Sequence, residues 1–498
     1  MKIHNIRLGL ATNSSSTHSI IIMRPEDYAK TKTNECHDFG WNYFTAADRN
    51  SKVDYLGYIL QNSLIDLIGE SNANVVVDSL FEGECAWPIS MELRKGYGID
   101  HQSMVILPAN WDGKGANLEF FKDLKDYILE NPIAILGGND NGDDEHPLRN
   151  MGRSIDLGLP KDGRAYPSLI ARKDEVNGNA HWVVFNRESG AKVCLTFGKY
   201  PKGKASVAIH QFLQGPSQQK VAKAETPELV DVKITDFCPA GCKFCYQAST
   251  PSGEHAKLNL IHSIGFVLRN LHVFEVAIGG GEPTMHPDFL GILRYFHNYG
   301  IIPNFSTRRL TWLFEKDYKD IIKSCGSFAY SVSTGADVKG FATAVEKRGL
   351  DELLPDQKVS VQYVLNSGGN LYDVLEEARK GGFRVTLLGF KKAGFGKDFK
   401  QVPEDWISTV KRVRKESSWV TIGVDTAVVK ESKQDIIREL GVAEELMTGE
   451  EGKFSMYIDA VNGTMGPSSY CSPDEMEPII RGQGKTTEDY IRERFIRW

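Results

Sequence analysis

The sequence predicts an α/β fold: a partial (β/α) barrel over residues 228–430, with an α+β domain over 1–215 before it and a small hairpin extension over 431–498 after it. Three observations predict this. With 498 residues the chain is too long for one ordinary core and calls for two or three domains. From about residue 228 onward, short apolar or β-branched runs alternate regularly with helical patterns, as βαβ units around a parallel sheet require. Between 215 and 228 the composition shifts. Gln214-Gly215-Pro216-Ser217-Gln218-Gln219 reads as a linker, after a basic stretch holding Lys199, Lys202 and Lys204.

Taken in order, strands are expected at 229–235, 273–279, 301–307, 327–334, 358–365, 384–390 and 420–428. Helices are expected at 258–271, 288–299, 310–324 and 372–380, the last with Asn370 as its cap and Gly381-Gly382 as its stop. In such a barrel, chemistry belongs at the carboxyl ends of the strands. The first 215 residues show helical periodicity at 53–68 and 118–129 and a hairpin at 181–197, turning at Asn186 to Gly190. In the tail, Phe454 to Asp459 followed by Asn462-Gly463 reads as a second hairpin.

A formal net charge of -6 argues against broad wrapping of nucleic acid. No apolar run approaches the roughly 18 residues that span a bilayer, and Met1 to Met23 lacks the apolar core of a signal peptide. Of eight cysteines, three fall within eight residues and five are scattered. That distribution suits a reducing compartment and a metal site better than a disulfide framework, so a cytoplasmic location is expected.

Asp236-Phe237-Cys238-Pro239-Ala240-Gly241-Cys242-Lys243-Phe244-Cys245-Tyr246 follows directly on the first strand of the alternating region. Three thiolates on one loop can each hold one iron of a cubane cluster, leaving a fourth iron open to an external ligand. The plainer alternatives are a zinc site completed by a distant residue, or three unliganded thiols. Zinc usually prefers two Cys-x2-Cys or Cys/His pairs, which are missing here.

This loop, at the end of a first barrel strand, resembles that of the radical S-adenosylmethionine (radical SAM) superfamily. The resemblance extends over roughly 228–430. Gly279-Gly280-Gly281-Glu282-Pro283, one strand later, matches the family's Gly-Gly-Glu element. It implies a [4Fe-4S] cluster on Cys238, Cys242 and Cys245, with S-adenosyl-L-methionine as the ligand of the open iron. Reductive cleavage then gives a 5′-deoxyadenosyl radical in an oxygen-sensitive enzyme fed by an external electron donor such as flavodoxin or ferredoxin. By the same resemblance Gly280, Gly281 and Glu282 receive the cofactor's ammonium group. Ser331 and Ser333 contact its ribose or carboxylate, Leu388 holds adenine through the backbone, and Phe244 or Tyr246 packs on the adenine. Asn304, Gln362 and Asp425, at or near other strand ends, are candidates to face substrate. The tail from Met456 to Cys471 is similar to the hairpin of SPASM or twitch extensions. Ser468 and Ser469 stand where a ligand is often found, so it reads as a degenerate version without a second cluster.

Elsewhere, the hydroxyl-rich Thr12 to Ser19 run is read as a turn or cap, or as a strip that contacts substrate when the N-terminal domain closes over the barrel mouth. The acidic Gly137 to His146 loop is read as solvated rather than calcium-binding. The leading expectation is radical modification of a peptide or protein. A nucleobase substrate, free or in nucleic acid, is the alternative, with Lys199 to Lys204 and Arg308-Arg309 as phosphate contacts. A zinc-binding interaction module is the non-catalytic one.

Overall fold

The computed structural model describes residues 19–22, 28–34, 38–39, 44–85, 88–93, 98–99, 108–110, 116–137, 153–156, 169–176, 179–187, 192–196, 209–210, 223–350, 358–416, 421–442, 451–479 and 486–498. Thr12 to His18, Lys199 to Lys204, the 214–219 segment and Gly138 to His146 lie outside them. Backbone contacts divide the chain into two compact units, Met1–Lys220 and Val221–Trp498.

The first unit mixes helices with antiparallel sheet. Strands Phe44–Ala46, Ile133–Gly137, Ser19–Ile22 and Arg153–Asp156 form one antiparallel sheet in that spatial order. Leu169–Val176, Asn179–Asn186 and Lys192–Thr196 form an antiparallel meander. The long helix starts at Arg49, four residues ahead of the apolar periodicity, because the Asp48 carboxylate accepts from the Ser51 amide and sets its N-terminus. Trp182, fully buried, packs edge-on against Phe120 of helix Leu118–Glu130 and donates its indole N–H to Asp123 at 2.8 Å.

In the second unit seven strands succeed one another in parallel: β1 (Leu229–Thr235), β2 (Glu275–Gly280), β3 (Ile302–Thr307), β4 (Phe328–Val332), β5 (Val359–Val364), β6 (Arg384–Leu388) and β7 (Ile422–Val424). The connecting helices are α1 (Leu258–Asn270), α2 (Phe289–Asn298), α3 (Tyr318–Ser324), α4 (Gly335–Arg348), α5 (Leu371–Lys380) and α6 (Trp406–Glu416). Helix α7 (Thr426–Leu440) then leads to the tail. Asn370 caps α5, accepting from the Asp373 amide.

Two expected elements differ most from the structure. Residues 310–324 form a 3-10 turn at Thr311–Phe314 and then α3. Glu315 is extended between them, and the turn presses Trp312 edge-on against Phe305 and Phe328. The last strand stops at Val424 because the Asp425 carboxylate accepts from the Val428 amide and starts α7.

The tail joins the barrel sheet. Strand β8 (Ser455–Asp459) pairs in parallel with β1, on the side away from β2, and turns back through β9 (Thr464–Gly466) and β10 (Glu477–Pro478). Helix α8 (Thr487–Arg497) closes the chain.

Side chains alternate across a strand, and the two faces of this sheet differ. Val230, Val232, Ile234, Val276, Ile278, Phe305, Phe328, Val361, Val385, Leu387, Met456 and Ile458 belong to one buried apolar cluster with the helices. The residues between them are Asp231, Lys233, Thr235, Ala277, Gly279, Asn304, Ser306, Ser331, Gln362, Thr386, Tyr457 and Asp459. The helix-free face is therefore mostly polar. It is also concave. Five strand spacings separate β1 from β6, about 24 Å in a flat sheet, yet Lys391 beyond β6 lies 4.6 Å from the ring centre of Tyr246 beyond β1.

Candidate active site

The cysteine loop leaves β1 and is fastened on both sides. The Asp236 amide donates to the Glu254 carbonyl at 2.8 Å and the Cys238 amide to the Thr250 carbonyl at 2.9 Å. Within the loop the Cys245 amide donates to the Cys242 carbonyl, and the Phe395 amide beyond β6 donates to the Cys245 carbonyl at 2.9 Å. All three cysteines are free thiols and half-buried.

The glycine element at the end of β2 is zipped onto this loop. The Gly281 amide donates to the Thr235 carbonyl at 2.7 Å and the Glu282 amide to the Phe237 carbonyl at 2.8 Å. A Cβ on Gly280 would lie 2.3 Å from the Thr235 oxygen, and one on Gly281 2.2 Å from the Phe237 oxygen. These two glycines thus allow close backbone approach, whereas Gly279 has nothing within 4 Å of its missing Cβ and faces open space.

Glu282 is 3% exposed. Its Oε1 accepts from the Thr284 amide at 3.3 Å and from the hydroxyls of Thr284 and Thr307, both at 2.7 Å; Oε2 accepts from the Arg308 amide at 2.9 Å. One acceptor direction on Oε2 remains for a further donor. The Arg308 guanidinium donates to Ser333 Oγ at 2.8 Å and reaches Cys242 Sγ at 3.5 Å. Arg308 therefore ties together the cysteine loop, Glu282 and Ser333. From the sequence alone Arg308 is expected among phosphate contacts. Its signal was a charged residue directly beyond a strand end. Its neighbour Arg309 pairs with Glu315.

The remaining candidates lie at other strand ends and in the tail. Ser331 and Ser333 share the helix-free face of β4, and Gln362 stands opposite Ser331 in the β4–β5 register. Leu388 is half-buried at the end of β6, its carbonyl accepting from the Leu365 amide at 2.9 Å. Phe244 packs edge-on against Phe399, while the Tyr246 ring lies under Lys391 and its hydroxyl meets Ser469 at 3.5 Å. Asn304 is engaged with Glu275 and Ser327, and Asp425 accepts from the Gly389 and Val428 amides. In the tail, the Cys471 sulfur lies 3.5 Å from the Met476 sulfur.

The donor chemistry fits an iron–sulfur cluster. Burial raises the Cys238 thiol's pKa; the Ala240 amide opposes this, while Glu282, Cys242 and Cys245 raise it further. Like-charged groups gathered this way are compatible once a cationic centre lies among them. Among the described residues no three His, Cys, Asp or Glu side chains converge on one point that would hold a single ion. A cubane needs no such point, since each thiolate takes its own iron.

Residues 232–392 match the family model of the radical SAM superfamily. The chain carries a radical SAM domain. It is similar to the mycofactocin maturase MftC of Mycobacterium ulcerans, 28% identical over 188 residues, which covers 35% of this chain and 50% of that one. It is also similar to the GTP 3′,8-cyclase of Photorhabdus laumondii, 30% identical over 105 residues, 20% of this chain and 32% of that one. The chain thus spans half the length of the maturase and about a third of the cyclase. Among solved structures, Streptococcus suis SuiB bound to the precursor peptide SuiA aligns with TM-score 0.43 and 13% identity, over 60% of this chain and 82% of that one. The zinc-module alternative gives way to the radical SAM domain. Among the described residues no helix is long and apolar enough to cross a membrane.

Proposed function

We propose that this chain is an enzyme that holds a [4Fe-4S] cluster on Cys238, Cys242 and Cys245, binds S-adenosylmethionine beside it, and modifies a peptide or protein substrate by hydrogen abstraction. One observation carries the reading: the three-thiol loop of a radical SAM domain stands at the carboxyl edge of a parallel sheet whose helix-free face is concave and polar. When bound, the reduced cluster and its ligand supply a 5′-deoxyadenosyl radical. The protein's part is to orient and enclose.

Each residue has a definite task in this reading. Glu282 offers the free direction on Oε2 to the cofactor's ammonium group, with its other acceptor directions already occupied so that the carboxylate cannot swing. Gly279 leaves room above β2, Gly280 and Gly281 keep the loop and the carboxylate in register, and Ser331 and Ser333 line the same face. Arg308 holds Ser333 and faces the Cys242 sulfur. Leu388 and Phe244 border the adenine side. The peptide class is supported by similarity to a protein named as a maturase. The nucleobase alternative drew phosphate contacts from Arg308-Arg309 and Lys199 to Lys204. Arg308 is engaged with Ser333 and Cys242, Arg309 pairs with Glu315 at the surface, and the lysines lie outside the described residues.

Anaerobic reconstitution tests the proposal. About four irons per chain are expected, with absorbance that bleaches on reduction and release of 5′-deoxyadenosine from added S-adenosylmethionine. Stoichiometric zinc without iron uptake would remove it.

A further inference from the structure

The cluster and its cofactor leave one set of groups unaccounted for, where β1, the segment after β6 and the tail meet on the concave face. Lys391 stands three residues beyond β6. Its ammonium lies 4.6 Å from the ring centre of Tyr246 and 4.8 Å from that of Tyr470. It makes no hydrogen bond or ion pair with any described residue. Asp231, on the helix-free side of β1, is likewise without a hydrogen-bond partner among them, although it interacts with Lys391 through its charge. Two further acids stand close, and both are committed. Asp425 accepts from the Gly389 and Val428 amides, and Glu451 accepts from the Tyr470 hydroxyl at 2.7 Å and from Thr426.

Lys391 is partly exposed, so its ammonium offers three N–H donors, none taken by a protein acceptor among the described residues, to an oxygen arriving from outside. Burial pulls the Lys391 pKa down, but Tyr246, Asp425, Asp231 and Glu451 outweigh it and keep the group charged. What can meet Lys391 and Asp231 follows from the charges around them. A free carboxylate would meet Asp425 and Glu451; a free ammonium would meet Lys391. A neutral group that accepts on one side and donates on the other meets neither objection, and a planar one can lie against a tyrosine ring.

The geometry points to a bracket for one amide group of the substrate, its carbonyl oxygen accepting from Lys391 Nζ and its N–H donating to Asp231, beside the rings of Tyr246 and Tyr470. This rests on the peptide reading above and deepens it. Because Tyr470 and Glu451 belong to the tail, the tail is a wall of the substrate site.

The test uses the full reconstituted chain and N-acetylglycine methylamide as probe, with acetate and methylammonium as charged controls, followed by saturation-transfer NMR. The amide should bind, and Lys391→Met and Asp231→Leu should each weaken it about tenfold, the scale of one lost hydrogen bond to a charged group. Lys391→Arg should recover most of the loss. If Lys391→Met does not fold, Asp231→Asn, which keeps the shape, decides by the same readout. Preference for either charged control, no binding to the wild type, or binding indifferent to these substitutions overturns the bracket. Iron content and 5′-deoxyadenosine release, measured on the same samples, separate the two proposals. Amide binding without iron keeps the bracket and removes the radical reading; iron and cleavage without amide binding do the reverse.

Discussion

The rim over β1 to β4 and the rim over β6, β7 and the tail are built in opposite ways. Over the first, the polar groups are largely satisfied by the protein. Glu282 accepts four hydrogen bonds, two backbone links zip the glycine element to the cysteine loop, and Arg308 spans Cys242 and Ser333. Over the second, Lys391 has ring contacts but no hydrogen bond or ion pair among the described residues, and Asp231, which faces it by charge from β1, has no hydrogen-bond partner there either. The same contrast appears within a single strand. Lys233 is 6% exposed and bridges Asp236 at 2.6 Å and Asp459 at 3.0 Å, whereas Asp231, two residues earlier on the same face, has no such pairing. Satisfied networks are rigid and suit a ligand that is the same in every turnover. Unsatisfied groups suit what arrives from outside.

The largest effect expected from breaking this comparison lies at Lys233. Lys233→Ala leaves two carboxylates facing each other without their cation, which costs about 3–5 kcal/mol. The melting temperature of the full chain should fall accordingly. A small change would mean that the Asp236 and Asp459 carboxylates are solvated and that the first rim is less finished than described.

Next comes Gly281→Ala, whose new methyl must displace the Phe237 carbonyl, at about 1–3 kcal/mol. Iron uptake should drop while the far-ultraviolet circular dichroism stays native. Full iron uptake would show that the glycine element is not what holds the loop.

The smallest effect sharpens the second rim. Burial pushes the Asp231 carboxyl up to about 6, with Lys391 pulling it down and Glu451 pushing it up. Since the unfolded chain binds this proton near pH 4, the stability carried by protonated Asp231 is complete below about pH 4 and is lost as pH rises through 6. Asp231→Asn escapes that loss. Its melting temperature should match wild type at pH 4, rise above it between 4 and 6, and hold a constant advantage beyond, worth at most about 2.7 kcal/mol. A pH-independent difference would place Asp231 in ordinary solvent.

Much of this molecule was legible because its signals are local. The runs that became β1 to β6 are short and apolar, Asn370 caps the helix it precedes, and the cysteine loop lies at a strand end where such a barrel concentrates chemistry. What escaped depends on residues far apart in sequence. The parallel pairing of Ser455–Asp459 with β1 leaves no trace in either segment. Arg308 looks like any exposed cation until β4 brings Ser333 beside it. Lys391 and Tyr470 belong to no motif and acquire meaning from their meeting. One clue was available: Asp231 and Lys233 alternate with valine and isoleucine in an otherwise apolar strand, which marks its second face as polar rather than core.

The pairing of β8 with β1 also sets a schedule for the growing chain. The thiolate-bearing strand finds its neighbour β2 within about fifty residues, but its other edge stays open until Ser455–Asp459 emerges, about 175 residues after β2 ends. At ordinary elongation rates of roughly 5–20 residues per second, that interval is about 10–35 s. During it the edge can pair with other extended chains, and the anchors of the tail, from the Ala224 amide on the Lys453 carbonyl to the Glu228 amide on that of Phe454, do not yet exist. A ribosome stalled before the tail would therefore display a cysteine loop on a strand with one bare edge, so that a strand made after all the others of the parallel barrel decides when the first of them is ready to receive its iron.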